Sequence, residues 1–326
     1  MLEMDQPATS DNPGGVDPLF IVGLPRTGST LWSNVIACDD ETMRFGEMHF
    51  LNPWHHDFRT FVRKETGPLS VDVNVERLVT KLFMDRPWTG LRGNFWEQIR
   101  RIDPETLRDR IYAEIIGSDR SLGAVFRTLV TESTRIRGYR KCLIKFPVYV
   151  NHIQDLLGWF PGARIMHITR DPRGTVVSKL SDPGGTEKRL ARYPLMTPLI
   201  RTTMKSFVVI QYRWAAAMHR RMAGNEKSYR VFRYEDLVTD PEATITALCD
   251  FAGIAYSSRM LEPRAGQPSS ITGEKRAGFD PSSATRWRSR LGGLEADIIK
   301  KLTYRAMLDF GYDPDNHPTM RADARG

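Results

Sequence analysis

Short apolar runs alternate along this chain with longer stretches of helical spacing. Leu19–Gly23 is apolar and ends on Gly-Leu-Pro, which predicts a buried strand. Cys142–Lys145, halted by Pro147, predicts a second strand. Arg164–Thr169 and Tyr229–Arg233 predict two more. Helical periodicity marks Thr30–Cys38, Asp72–Arg86, Pro104–Arg137, Val150–Trp159, the stretch from Asp171-Pro172 to Leu180, Leu199–Met222, Pro241–Phe251 and Gly293–Leu308. Asp103-Pro104-Glu105 carries a cap and a first-turn proline, and Gly253 closes the helix before it. Alternating strands and helices imply parallel βαβ units in one sheet. The expected fold class is therefore α/β, three-layered, with a mainly parallel central sheet and helical insertions.

Other segments lack either period. Residues 1–17 are polar and acidic and read as a disordered tail; 18–312 read as a single domain and 313–326 as a polar tail. Ser181–Pro198, rich in Gly, Pro and charge, reads as a lid or insertion. Asn52–Gly67 reads as an irregular loop with some helix, and Arg259–Ser283 as loop. No internal repeat is visible.

Composition narrows the function only slightly. The chain has 326 residues, 40% hydrophobic content and a formal net charge of +8, which suits an anionic ligand, a nucleic acid or an acidic surface alike. Cys38, Cys142 and Cys249 form no C-x-x-C pair, so neither a disulfide framework nor a cysteine zinc site is indicated. Without a leader-like start or an apolar run near the ~20 residues of a membrane span, the expectation is a cytoplasmic protein with no membrane anchor.

The chemistry concentrates where the first strand meets the first helix. Phe20 to Trp32 reads FIVGLPRTGSTLW, a strand, a donor-rich loop and a helix start. Such a loop offers backbone N–H groups and a helix N-terminus to an anion. It nearly fits the nucleotide phosphate loop G-x-x-x-x-G-K-[ST], with Gly23, Gly28 and Thr30 in place, but Ser29 stands where the lysine belongs. That argues against ATP or GTP chemistry. The loop's cation comes earlier, at Arg26.

Three further motifs accompany it. Arg170 projects from a strand end, the ligand edge of an open α/β sheet, and Ser178 follows about two helical turns on. Phe232-Arg-Tyr-Glu-Asp-Leu237 is a second strand end running into a turn. Arg286-Trp-Arg-Ser-Arg290 is a late basic cluster.

In these pieces and their order the chain resembles the sulfotransferases that use 3′-phosphoadenosine 5′-phosphosulfate (PAPS), above all the bacterial and tyrosylprotein branch. The resemblance rests on Gly23–Thr30, Arg170 through Ser178, Tyr234-Glu-Asp236, and Arg286-Trp287. It implies that Arg26 sits beside the transferring sulfuryl group while Thr27, Gly28, Ser29 and Thr30 hold the 5′-phosphosulfate. It assigns Arg170 and Ser178 to the 3′-phosphate, places Tyr234 near the adenosine, and has Arg286 and Trp287 close over the cofactor. Glu47, in Arg44-Phe-Gly-Glu47, matches an R-x-G-E glutamate that serves as general base in the tyrosylprotein branch. Lys145 matches a strand-end lysine that assists the leaving phosphate. The cytosolic branch has a histidine base two residues after that lysine; here Pro147 stands there, which adds weight to Glu47. The implied product is adenosine 3′,5′-bisphosphate, and the implied acceptor a small molecule or peptide with a hydroxyl or amine. Sulfuryl oxygens carry less charge than a γ-phosphate, so no metal is expected.

Two rivals remain open. A nucleotide kinase would need the missing lysine. A basic nucleic-acid-binding module would need aromatic and basic residues on one face, whereas the cations look scattered along the chain. His49, His55, His56 and Asp57 invite a metal reading, but adjacent loop histidines lack helical ligand spacing. His167, inside a strand, reads as core.

Overall fold

The computed structural model describes residues 15–47, 50–51, 58–83, 102–147, 149–182, 185–263 and 278–315. Five strands form one sheet: β1 (Asp17–Gly23), β2 (Thr42–Glu47), β3 (Lys141–Phe146), β4 (Arg164–Thr169) and β5 (Tyr229–Arg233). Their order is β2-β3-β1-β4-β5, and every neighbouring pair is parallel. The α/β expectation holds. β2 is the strand that the hydrophobic pattern did not show.

Strand alternation builds three layers. Phe20, Val22, Ile144 and Ile165 face one core, shared with helices α3 (Asp72–Leu82), α4 (Pro104–Ile116), α5 (Leu122–Arg135) and α6 (Ile153–Trp159). Ile21, Leu143, Met166 and Ile168 face the other, which takes in Trp32 of α1 (Ser29–Ile36) and Leu248 of the helix Pro241–Ala252. A short helix α2 (Phe58–Phe61) precedes α3 and runs into a wider turn at Val62–Thr66. The stretch Pro104–Arg137, read as continuously helical, is two helices: α4 and α5 are separated around Arg120, whose φ of 56° no α-helix accommodates.

After β4 come α7 (Pro172–Leu180), α8 (Thr186–Arg192) and the 25-residue α9 (Thr197–Arg221). Much of 181–198 is thus helical. Beyond β5 lie α10 (Tyr234–Thr239), where a turn was expected, α11 (Pro241–Ala252), α12 (Ser282–Thr285) and α13 (Gly293–Asp309). The early tail yields Asp17 to β1, and Asp315 in the late tail bonds Lys300 and Tyr304.

His167 is core, as expected, and belongs to a buried relay. Its Nδ1 lies 2.7 Å from the Tyr229 hydroxyl, and His219 Nδ1 lies 3.0 Å from the same oxygen. His219 Nε2 faces the Asp309 carbonyl at 3.1 Å, so that nitrogen carries the proton. Tyr229 then donates to His219 and accepts from His167. Burial holds His167 far below the usual histidine range, at about 3, and lowers His219 as well.

Candidate active site

The loop between β1 and α1 is shaped by backbone geometry that only certain residues allow. Gly23 has φ 148°, and a Cβ there would stand 2.3 Å from the Ile168 carbonyl oxygen of β4. Gly28 has φ 92°, and its missing Cβ is the room taken by the Tyr234 ring, 2.3 Å away. Between them Arg26 adopts φ 73°, unusual for a side-chain-bearing residue and of a kind found at ligand clamps. Thr27, buried, donates its hydroxyl to the Leu24 carbonyl at 2.7 Å and closes the turn. No side chain caps α1; the Leu31 and Trp32 N–H groups bond the Gly28 carbonyl, and those of Ser29 and Thr30 are left for a ligand.

The C-terminal edge of the sheet brings the predicted residues to this loop. Arg26 Nε donates to Ser178 Oγ at 3.2 Å, joining the loop to α7. Asp182, one turn beyond Ser178, lies 3.8 Å from the Arg26 guanidinium. Lys145, at the end of β3 and buried, donates to Thr30 Oγ1 at 3.2 Å. Glu47 ends β2 and is paired in register with Lys145, so those two backbones are side by side at the same edge.

Arg170 lies in the crevice between β4 and α10. Its guanidinium stacks on Tyr234 at 4.1 Å from the ring centre and donates to the Ser283 carbonyl at 3.0 Å. Its Nε is buried without a hydrogen-bond partner among the described residues. Gly174 packs closely against it: an added Cβ would sit only 3.1 Å from that nitrogen. Tyr234 also shares a hydrogen bond with Ser283 Oγ at 2.8 Å.

Arg286 and Trp287 sit differently from the other predicted residues. Arg286 pairs with Asp280 at 2.5 Å, within its own segment. Trp287 is buried beneath the Arg173 guanidinium, 4.0 Å from the ring centre. Arg173 in turn is clamped to Asp171 at 2.6 Å, and Glu235 accepts from the Asp171 N–H at 3.0 Å and the Tyr312 hydroxyl at 2.8 Å. Burial, with repulsion from Asp171, raises the Glu235 carboxyl above its ordinary value. This network fixes the segment that presents Ser283 to Arg170.

Sequence reasoning missed two contacts. Asp182 lies just past the end of α7, in the segment read as a lid, and Ser283 lies in a stretch without periodicity, so no local pattern marked either. His49, His55, His56 and Asp57 lie outside the described residues. An open concavity of about 750 Å³ is lined by Phe58, Val62, Leu69, Leu122, Arg59 and Arg120, among others. The Phe58 N–H bonds the carbonyl of Phe50, three residues past Glu47.

A family model described as the sulfotransferase family matches residues 18–258. The chain belongs to that family. The match contains the loop, Glu47, Lys145, Arg170, Ser178 and Tyr234, and ends before Ser283 and Arg286. Among relatives of this chain, the omega-hydroxy-beta-dihydromenaquinone-9 sulfotransferase Stf3 of Mycobacterium tuberculosis is 25% identical over 254 residues, 73% of this chain and 63% of that protein. Human carbohydrate sulfotransferase 2 is 33% identical over 96 residues, 28% of this chain and 18% of that protein. The chain therefore spans less than two thirds of the length of these relatives. Among solved structures, the sulfotransferase domain of the Synechococcus PCC 7002 olefin synthase superposes with a TM-score of 0.54 at 20% identity, covering 92% of this chain and 96% of that domain. The sulfotransferase domain from the curacin biosynthetic pathway gives 0.53 at 17% identity, covering 91% and 98%. These likenesses confirm the fold.

Proposed function

We propose that this sulfotransferase moves the sulfuryl group of PAPS to a hydroxyl or amine of a small-molecule or peptide acceptor. The observation that carries the reading is the contact between Arg26 and Ser178, with Arg170 at the same edge. That contact brings a residue assigned to the 5′ end beside one assigned to the 3′-phosphate, which supports a single nucleotide reaching both. The unpartnered Arg170 Nε supports a second anionic group beyond the loop, which a simple nucleoside triphosphate does not supply.

PAPS, when bound, supplies an activated sulfuryl group on a phosphate leaving group. Loop amides and the hydroxyls of Ser29 and Thr30 hold the 5′ end. Arg170 and Ser178 hold the 3′-phosphate, and Tyr234 supports Arg170 from beneath. Arg26 and Lys145 stabilise negative charge growing on the departing phosphate oxygen, as fixed cations do in phosphoryl transfer. Glu47 takes the acceptor's proton. The concavity lined by Phe58, Val62, Leu69 and Arg120 is our candidate seat for the acceptor. A hydroxyl acceptor agrees with the name of Stf3, whose substrate is a hydroxylated menaquinone.

A thermal-shift comparison tests the reading. Adenosine 3′,5′-bisphosphate should stabilise the protein, and ADP with magnesium should not. The reverse result would favour a kinase and overturn the proposal.

A further inference from the structure

The solvent face of α8 and α9 has an unusual composition. Between Thr186 and Arg221 eight Lys or Arg residues stand against one acid, Glu187, and α9 itself contains no acid at all. The cations are thus less scattered than a reading along the chain suggests. Lys205 and Arg220 pair with Glu295 and Asp309 of α13. Arg201 also acts on the Glu295 carboxylate, whereas Lys188, Arg189, Arg192, Arg213 and Arg221 form no ion pair with a carboxylate among the described residues.

Large apolar side chains share this face. Leu195 is 98% exposed, Leu199 59%, Ile210 62% and Trp214 53%, with Tyr193 and Met196 also outward. At 3.6 residues per turn, Leu199, Ile210 and Trp214 fall within about 60° of one another around α9. The stripe lies opposite the buried side formed by Val208, Tyr212 and Ala215. Apolar residues of this size rarely stand exposed together without a partner.

We propose that this face docks onto an anionic lipid bilayer. A helix lying in a membrane interface buries Leu and Trp and sets Lys and Arg among the head groups, which is the pattern here. A second copy of the chain is disfavoured, because pairing the faces would oppose two acid-poor, cationic helices. The docked face adjoins the cleft: Asp182, which contacts Arg26, accepts the backbone N–H of Glu187 at the start of α8.

Flotation of the full chain with vesicles tests this. Vesicles of phosphatidylcholine with 30% phosphatidylserine should capture the protein at low salt, and pure phosphatidylcholine should not. Arg192→Gln with Arg213→Gln should lower the partition coefficient about 25-fold, from ~5-fold per cation. Leu195→Ser with Trp214→Ser should lower it at least ~10-fold. Melting temperature checks that both double variants remain folded. Absent or lipid-independent capture overturns the proposal, as does a dimer in sedimentation that the apolar variant abolishes. Flotation reads binding and not turnover, so its failure leaves the sulfuryl-transfer reading standing.

Discussion

Replacing Arg170 separates a phosphate clamp from a packing residue. Its guanidinium rests on Tyr234, donates to the Ser283 carbonyl, and keeps a buried Nε unpartnered among the described residues. If that side chain grips the 3′-phosphate, Arg170→Ala removes at least one hydrogen bond between charged groups, worth about 1.5–3 kcal/mol. The dissociation constant of adenosine 3′,5′-bisphosphate should then rise about 10- to 150-fold. A nucleotide without the 3′-phosphate loses only the support that Arg170 gives Tyr234, about 0.5–1 kcal/mol, or a factor of ~2–5. Titration calorimetry of both nucleotides on both proteins gives the ratio directly. Arg170→Lys keeps the charge but loses the planar fork, so it should fall between the two. Equal weakening of both nucleotides by Arg170→Ala would refute the assignment and leave Arg170 as a brace for Tyr234 and the Ser283 segment.

Other outcomes follow from the same geometry. Gly28→Ala places a Cβ where the Tyr234 ring stands, at a backbone angle that alanine resists, and should weaken nucleotide binding at least ~10-fold by calorimetry; unchanged affinity would detach Tyr234 from the cleft. Glu47→Gln should leave nucleotide affinity nearly intact and lower turnover by ~10²–10⁴, the usual worth of a general base, and unaltered turnover would remove Glu47 from the mechanism. Acid should destabilise the fold early. His167 is neutral in the folded protein down to about pH 3, whereas the unfolded chain protonates it near 6.5, so the unfolded state binds more protons across that window. Stability should therefore fall as pH drops below about 6.5, and His167→Gln should flatten the slope in urea melts at pH 4–7.

Much of this arrangement was legible because local and global signals agreed. Four of the five strands were apolar runs ended by Gly or Pro or by a turn toward a helix, and the loop at Gly23–Thr30 announced itself through residue types that only an anion site needs together. β2 escaped because Thr-Met-Arg-Phe-Gly-Glu is an edge strand: Arg44 faces solvent, and the register shifts between Arg44 and Gly46. A bulged edge need not show clean alternation. The break at Arg120 was equally hidden. Its side chain stabilises the turn by bonding the Leu69 and Ser70 carbonyls and pairing with Asp72 at 2.8 Å, contacts with residues some fifty positions away that no local pattern encodes. Arg286 and Trp287 were singled out for their chemistry, yet Asp280 and Arg173 already engage them, and the neighbouring Ser283 carries the segment's contact with Arg170 and Tyr234.

The cleft's own bonds bear on how it would receive an anion. Arg26 spans the gap from the loop to α7, bonded to Ser178 and close to Asp182. An incoming phosphate that takes up Ser178 competes with the Arg26 guanidinium for that hydroxyl, and one that approaches Arg26 competes with the Asp182 carboxylate. Each site is therefore held in place by a contact that a ligand must exchange, and net affinity is the difference between two charged interactions instead of the sum of new ones. Removing the competing carboxylate with Asp182→Asn should tighten nucleotide binding rather than weaken it. Because Arg26 is half-buried and Asp182 partly exposed, solvent screens the pair and the gain should be modest, a few-fold in dissociation constant by calorimetry. A loss of affinity would mean that Asp182 positions Arg26 for the ligand and that the contact belongs to the bound state.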